Sequence, residues 1–260
     1  MNKNNKPSIT IVTPSFNQGE FIERTILSVL NQNYPNLQYI IKDGGSTDNT
    51  KQIVKKYQKY LTFISKKDNG QSDAINQGFK MANGEILAWL NSDDCYKPGT
   101  LDYVGNFFKN NQNSYWLTGD YEIIDKNDNV IREYVAIYKK LLRSISNKSV
   151  LCVANYIVQP STFWKKSLFE KIGDINVDFK YNMDYEYWLR AFKQYDLHVT
   201  NEKLCQFRIH SESINGSRYK KMFDHELTFL NKYCSSNLLF NLHKVHNFFN
   251  ITIYNLTKID

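Results

Sequence analysis

The stretch ILAWLNSDD, Ile86 to Asp94, sets five consecutive apolar residues directly against four polar ones. A strand with one wet face alternates apolar and polar side chains, so an uninterrupted apolar run reads as a strand covered on both faces. Such strands lie inside parallel sheets, and the polar residues here follow at the carboxyl end. Upstream, Asn83 and Gly84 stop a predicted helix over Gln71 to Met81, which follows a strand at Leu61 to Ser65. Asp48 reads as the N-cap of a helix running through Tyr57, preceded by a strand at Leu37 to Ile41. Asn17 and Glu20 have capping-box spacing, and Ile22, Ile26, Val29 and Leu30 then share one helical face. Ser8 to Thr13 is a β-branched run stopped by Pro14. Strand and helix alternate throughout, so the fold class is α/β: a Rossmann-like, mostly parallel central sheet flanked by helices.

Beyond Gly99 the alternation fades. Tyr115 to Tyr134 carries short strand-like stretches broken by Asp125 to Asn129, which reads as a small mixed second sheet. A helix near Ala136 to Arg143, a loop through Pro160 and a helix over Asp184 to Gln194 complete the core. The expected organisation is one domain over residues 1–215 and a C-terminal helical extension over 216–260.

Thirty-three Lys and Arg against 26 Asp and Glu give the 260-residue chain a net charge of +7, which favours anionic partners such as nucleotides or acidic lipid surfaces. No basic stripe or nucleic-acid motif is present, so nucleic acid is not an expected partner. Cys95, Cys152, Cys205 and Cys234 are far apart without a CxxC pair, which suggests neither a zinc knuckle nor a dense disulfide framework and points to a reducing compartment. Met1 to Pro7 is polar, and no window holds the roughly 18 uninterrupted apolar residues of a spanning helix. The expected location is cytoplasmic.

Ligands of open α/β sheets bind beyond the carboxyl ends of the strands. Asn17, Asp43, Asp68 and the run Asn91, Ser92, Asp93, Asp94 all follow strands, so one sheet edge gathers carboxylates. Mg2+ and Mn2+ take oxygen ligands and often only one or two protein carboxylates, with substrate phosphates completing the shell. Asp93 and Asp94 could supply these, although an Asx turn is the plainer reading of a Ser-Asp-Asp alone. Gly44 and Gly45 beside Asp43 permit close backbone approach to a ligand.

Four motifs in order, ITIVTPSF (Ile9 to Phe16), DGGSTDNT (Asp43 to Thr50), DNGQSDAINQG (Asp68 to Gly78) and LNSDD (Leu90 to Asp94), resemble those of family 2 glycosyltransferases. The resemblance covers about Ser8 to Ser213 and implies a GT-A fold and an inverting transfer from a nucleotide-sugar donor, with UDP-sugars favoured. It implies that Thr13, Pro14, Asn17, Asp43, Asp68, Asn91 and Ser92 contact the nucleotide and that Asp93 ligates Mn2+ or Mg2+. Asn91 departs from the family's DxD, and Ile75 stands where many relatives carry Arg, so a positive charge near the diphosphate must come from elsewhere. Tyr181 to Arg190 resembles the helix carrying the catalytic base, which matches Asp184; Glu186 is the second choice. Phe207 to Ser211 resembles a late motif in which a histidine approaches the metal, so His210 is a candidate ligand. Phe163 and Trp164 are candidates for stacking on sugar faces.

Two rival readings exist. A sugar nucleotidyltransferase needs a Gly-rich basic loop after the first strand, and Pro14 to Asn17 is neither. The alternative is a non-catalytic nucleotide-sugar or carbohydrate-binding protein on the same fold, which Asn91 favours. In the tail, Leu238, Leu239, Leu242, Val245, Phe248 and Phe249 recur at helical spacing, with His243, Lys244, His246 and later Lys258 on other positions. Such a helix can dock on its own domain, on a second subunit as in a homodimer, or peripherally on the inner face of a membrane carrying a glycan or lipid-linked acceptor.

Overall fold

The computed structural model describes residues 6–213, 219–234 and 236–256. Its first half follows the alternation: β1 (Ile9–Ser15), α1 (Ile22–Leu30), β2 (Leu37–Asp43), α2 (Thr50–Lys55), β3 (Thr62–Ser65), α3 (Gln71–Lys80) and β4 (Ile86–Trp89). The four strands run parallel in the order β3-β2-β1-β4. Every residue of β1 and β4 is buried, as continuous apolar strands between two helical layers require. Ile22, Thr25, Ile26 and Val29 form the buried stripe of α1. Gly78 brings α3 close onto β1: a Cβ there would lie 2.4 Å from Cγ1 of Val12.

The second half comprises β5 (Cys95–Tyr96), α4 (Thr100–Asn110), β6 (Trp116–Ile124), α5 (Glu133–Ser144), α6 (Lys148–Val153), β7 (Thr162–Lys165), α7 (Lys166–Ile172), α8 (Met183–Ala191), β8 (His198–Arg208), α9 (Tyr219–Tyr233) and α10 (Asn237–Leu256). Its strands do not form a separate sheet. β7 pairs antiparallel with β4 through Ile86–Lys165 and Leu87–Trp164, so the order continues as β4-β7-β6-β8-β5 in one eight-stranded sheet. The expected loop before Pro160 instead contains α6 and a 3-10 turn at Gln159–Ser161.

The expected capping box is absent: α1 begins after Phe21 without a side-chain cap, and Asn17, at φ 52°, accepts from the Thr47 amide at 2.8 Å. Asn49 rather than Asp48 is the N-cap of α2, although Asp48 accepts from the Thr50 amide at 3.0 Å.

Trp89, Trp116, Trp164 and Trp188 are each under 2% exposed. Trp188 of α8 stacks on Trp89 of β4 at 5.7 Å between ring centroids, which clamps α8 onto the sheet beside the end of β4. Phe163 and Trp164 belong to the core, so neither faces a sugar. Sulfur chemistry also differs from the expectation of reduced thiols: Cys152 and Cys234 form a disulfide joining the end of α6 to the end of α9, while Cys95 and Cys205 are free and buried. Phe229 and Leu230 of α9 join the same core cluster as the tryptophans. The expected domain boundary at residues 215 and 216, and Lys258 of the tail, lie outside the described residues. Among the described residues no helix is long and apolar enough to cross a membrane.

Candidate active site

A cavity of about 740 Å³ opens at the carboxyl end of the parallel strands. The residues leaving β4 form its floor. Asn91 accepts from Gln71 Nε2 at 2.8 Å and donates to Gln159 Oε1 and Asp94 Oδ2, both at 3.2 Å, so its amide is fixed on both sides. Asp94 is fully buried and accepts the Arg208 backbone amide at 2.9 Å. Burial and the neighbouring Asp93 carboxylate push Asp94 well above the usual carboxylate range. Its role is structural: it holds the end of β8 against the turn. Arg208, 1% exposed, donates from Nε to the Asp93 carbonyl at 2.8 Å and from a terminal nitrogen to the Asp125 carbonyl at 2.6 Å, and it pairs with Asp128 at 2.6 Å. These bonds aim the Asp93 side chain into the cavity.

There Asp93 Oδ2 lies 3.2 Å from Nε2 of His210, whose ring packs on Phe21 at 4.6 Å. Among the described residues no group of three or more His, Cys, Asp and Glu side chains is poised to hold a metal. The Asp93–His210 pair nonetheless fits a divalent cation that takes few protein ligands, because both donors face a cavity large enough for phosphates and water to complete the shell.

Asp184 lines the same cavity from the first turn of α8. The Tyr185 amide donates to it, yet burial dominates and raises its carboxyl above the ordinary range, with nearby Lys139 opposing that rise. Burial in turn pushes the Lys139 ammonium down to about 8, with Asp184 and Glu226 opposing. Glu186 is not available for proton transfer: it is 2% exposed, paired with Arg190 at 2.9 Å, and accepts from Tyr233.

Among the other sequence candidates, Pro14, Asp68, Asn91 and Ser92 line the cavity, whereas Thr13, Asn17 and Asp43 do not. Thr13 is fully buried against the Tyr39 hydroxyl at 3.1 Å. Asp43 is 1% exposed and accepts from the Ser46 amide and hydroxyl and from Ser65 Oγ, so it shapes the Gly44–Ser46 turn from behind the wall. Gly44 itself reaches the cavity. Cationic side chains absent from position 75 are present at Lys67, Arg132 and Lys180, on the cavity wall.

The opposite wall was not legible in the sequence. It comprises Lys139 of α5, Glu226 of α9 and His243, His246 and Asn247 of α10. Glu226 accepts from Asn247 Nδ2 at 2.9 Å, and His243 Nδ1 donates to the Val153 carbonyl at 2.9 Å. Burial lowers His246 to about 4, so it is neutral near pH 7. No residue pattern signals these positions, because the helices come to the cavity only by packing across the sheet.

Two relatives align over most of this chain. TuaG of Bacillus subtilis, a putative teichuronic acid biosynthesis glycosyltransferase, is 26% identical over 83% of this chain and 84% of its own. WfgD of Escherichia coli, a UDP-Glc:alpha-D-GlcNAc-diphosphoundecaprenol beta-1,3-glucosyltransferase, is 28% identical over 82% of each. Two solved structures share the fold. The mannosyltransferase PcManGT of Pyrobaculum calidifontis, in complex with GDP-Man and Mn2+, gives a TM-score of 0.69 at 17% identity, over 94% of this chain and 70% of its own. Staphylococcus aureus TarS in complex with UDP-GlcNAc gives 0.66 at 16% identity over 86% of this chain, which spans only 65% of that one. The family model for glycosyl transferase family 2 matches residues 10–173, and the chain belongs to that family, a glycosyltransferase with the GT-A fold.

Proposed function

We propose that this chain is an inverting transferase that moves a hexosyl or N-acetylhexosaminyl unit from a UDP-sugar to a hydroxyl of a glycan or lipid-linked acceptor, as in cell-surface polysaccharide synthesis. The observation that carries the reading is that Asp93 and Asp184, 91 positions apart by their numbers, line one cavity at the carboxyl edge of the sheet. The names of TuaG and WfgD support a cell-surface glycan, and WfgD supports UDP as the donor nucleotide and a diphospholipid as acceptor carrier.

In this reading Asp184 accepts the proton of the acceptor hydroxyl while that oxygen forms a bond to the anomeric carbon, and the bond from that carbon to the diphosphate breaks with its electron pair. Its raised affinity for protons makes it a stronger base than an exposed carboxylate, and the adjacent Lys139 stabilises its charged form. Asn91 and Ser92, with Pro14 and Asp68, contact the nucleotide; Asp43, Thr13 and Asn17 act one layer back by fixing the turns that do so. Asp93 and His210 would hold Mn2+ or Mg2+, which when bound neutralises charge on a diphosphate.

Screening UDP-, GDP- and dTDP-sugars with Mn2+ for thermal stabilisation and nucleotide release tests the reading, since a bound donor raises stability by mass action. Selective stabilisation and turnover by UDP-sugars is the expected outcome. Stabilisation without turnover under any acceptor condition would instead support a sugar-nucleotide-binding protein.

A further inference from the structure

α10 carries apolar side chains beyond those its own domain covers. Leu238, Leu242, Val245, Phe249 and Ile253 recur at helical spacing and are between 43% and 68% exposed. On the opposite side His243 and Asn247 are 1% and 5% exposed and line the cavity. Leu239 and Phe240 of the same helix pack half-buried on the tryptophan core, so the outer apolar side chains are a surplus that the domain leaves uncovered. α5 has a similar surplus beside the inward Val135, Ala136 and Leu142. Its Arg143 is buried against Asp120, whereas Tyr134, Ile137, Tyr138 and Leu141, spaced to share a face, are all exposed, and Ile145 follows at the C-cap. Tyr138 stacks on His246 at 6.0 Å, which brings the two helices together. Together with Ile145 they carry 11 of the 17 exposed large hydrophobic side chains among the described residues, so the apolar surface is concentrated here and not scattered. A water-facing patch of this kind marks a docking surface.

Charge identifies the occupant. α10 has no acidic residue and α5 has one, Glu133, while Lys148 and Lys244 stand exposed beside the patch on a chain of net charge +7. Apolar helix faces flanked by lysines and nearly free of carboxylates match the headgroup and upper acyl layer of an anionic bilayer. The cavity is adjacent: Tyr138, Lys139, His246 and Asn250 line it from these same two helices.

We infer that the outer faces of α5 and α10 form a membrane-docking surface for anionic bilayers. It seats the cavity at headgroup level, where the sugar of a lipid-linked acceptor meets Asp184; this last step alone rests on the function proposed above. Docking is peripheral. The side of α10 that carries His243 and Asn247 stays on the cavity while its outer side enters the lipid, so one helix serves as wall and as foot.

The test is flotation of the full chain with phosphatidylcholine vesicles, with and without about one third phosphatidylglycerol. The chain is expected to float with the anionic vesicles and to be released by high salt. The double variant Leu242→Glu/Phe249→Glu is expected to bind at least ~tenfold more weakly. Both side chains are exposed and lie outside the cavity, so its melting temperature and its nucleotide release in solution should match the parent. Failure of the parent to float, or equal flotation of parent and variant, overturns the proposal. So does a dimer at micromolar concentration that the same variant splits, since a second copy then covers the face. Nucleotide release without vesicles reads the transferase function separately, so loss of either result leaves the other interpretable.

Discussion

Asp93 Oδ2 and His210 Nε2 are 3.2 Å apart although 117 residues separate them. Two contacts build this pair: Arg208 locks onto the Asp93 carbonyl, and Asp94 holds the Arg208 backbone. The cavity thus receives one carboxylate from the end of β4 and one imidazole from beyond β8, while the neighbouring Asp94 carboxylate is withdrawn into the core.

Asp93→Asn is expected to cut nucleotide release by at least ~10²-fold with the melting temperature nearly unchanged, because it removes the carboxylate facing the cavity. His210→Ala should cost less and should be partly rescued by raising Mn2+, a signature of weakened cation affinity. Chelation with EDTA should abolish parent activity. Activity indifferent to EDTA and to Asp93→Asn would exclude the cation role for this pair.

Asp184→Asn should abolish transfer to acceptor while stabilisation by donor persists, since the amide keeps the shape and loses the base. The pH profile adds a sign. Burial raises the Asp184 carboxyl, so the acid limb of kcat/KM should lie above the ordinary carboxylate range. Lys139 lowers it, so Lys139→Met should move that limb to higher pH. A limb that stays put or falls in Lys139→Met would show that these two groups are not coupled in the working enzyme.

Arg208→Met removes a guanidinium that serves two carbonyls and Asp128. Stranding those acceptors should destabilise the fold by about 3 kcal/mol, read from denaturant midpoints at constant slope. Donor-dependent stabilisation should fall as well, because Asp93 loses its positioning contact. Unchanged stability would mean that water replaces the guanidinium at no cost.

The Cys152–Cys234 disulfide closes a span of 82 residues between α6 and α9. Cross-linking a loop of that length stabilises a fold by about 4 kcal/mol in the chain-entropy account. Reduction, or Cys152→Ser/Cys234→Ser, should therefore lower the melting temperature by several degrees. Because α9 lines the cavity and α6 packs on α10, on the side where the acceptor is proposed to meet Asp184, the KM for acceptor should rise more than the KM for donor. Identical melting curves with and without reductant would show that the two thiols are not joined in solution.

What the sequence determined by itself is local. Apolar runs at Ile9 to Thr13 and Ile86 to Leu90 specify strands buried on both faces, and the polar residues after them must stand at one sheet edge, which places Asn91, Ser92 and Asp93 at the cavity. Tertiary structure decided the rest. Asp43 and Thr13 sit at the right edge but point into the protein, and Glu186 is consumed by Arg190 and Tyr233, because strand and helix periodicity sets a face and not a partner. The far wall from α5, α9 and α10 and the uncovered apolar face of α10 depend on helices meeting across more than 80 residues of chain, as the disulfide separation of 82 illustrates. An amphipathic pattern states that a helix has two sides. Only packing states which side is turned inward, and here the inner side is mixed: Leu239 and Phe240 meet the apolar core, while His243 and Asn247 meet a cavity lined by Glu226 and Asp184.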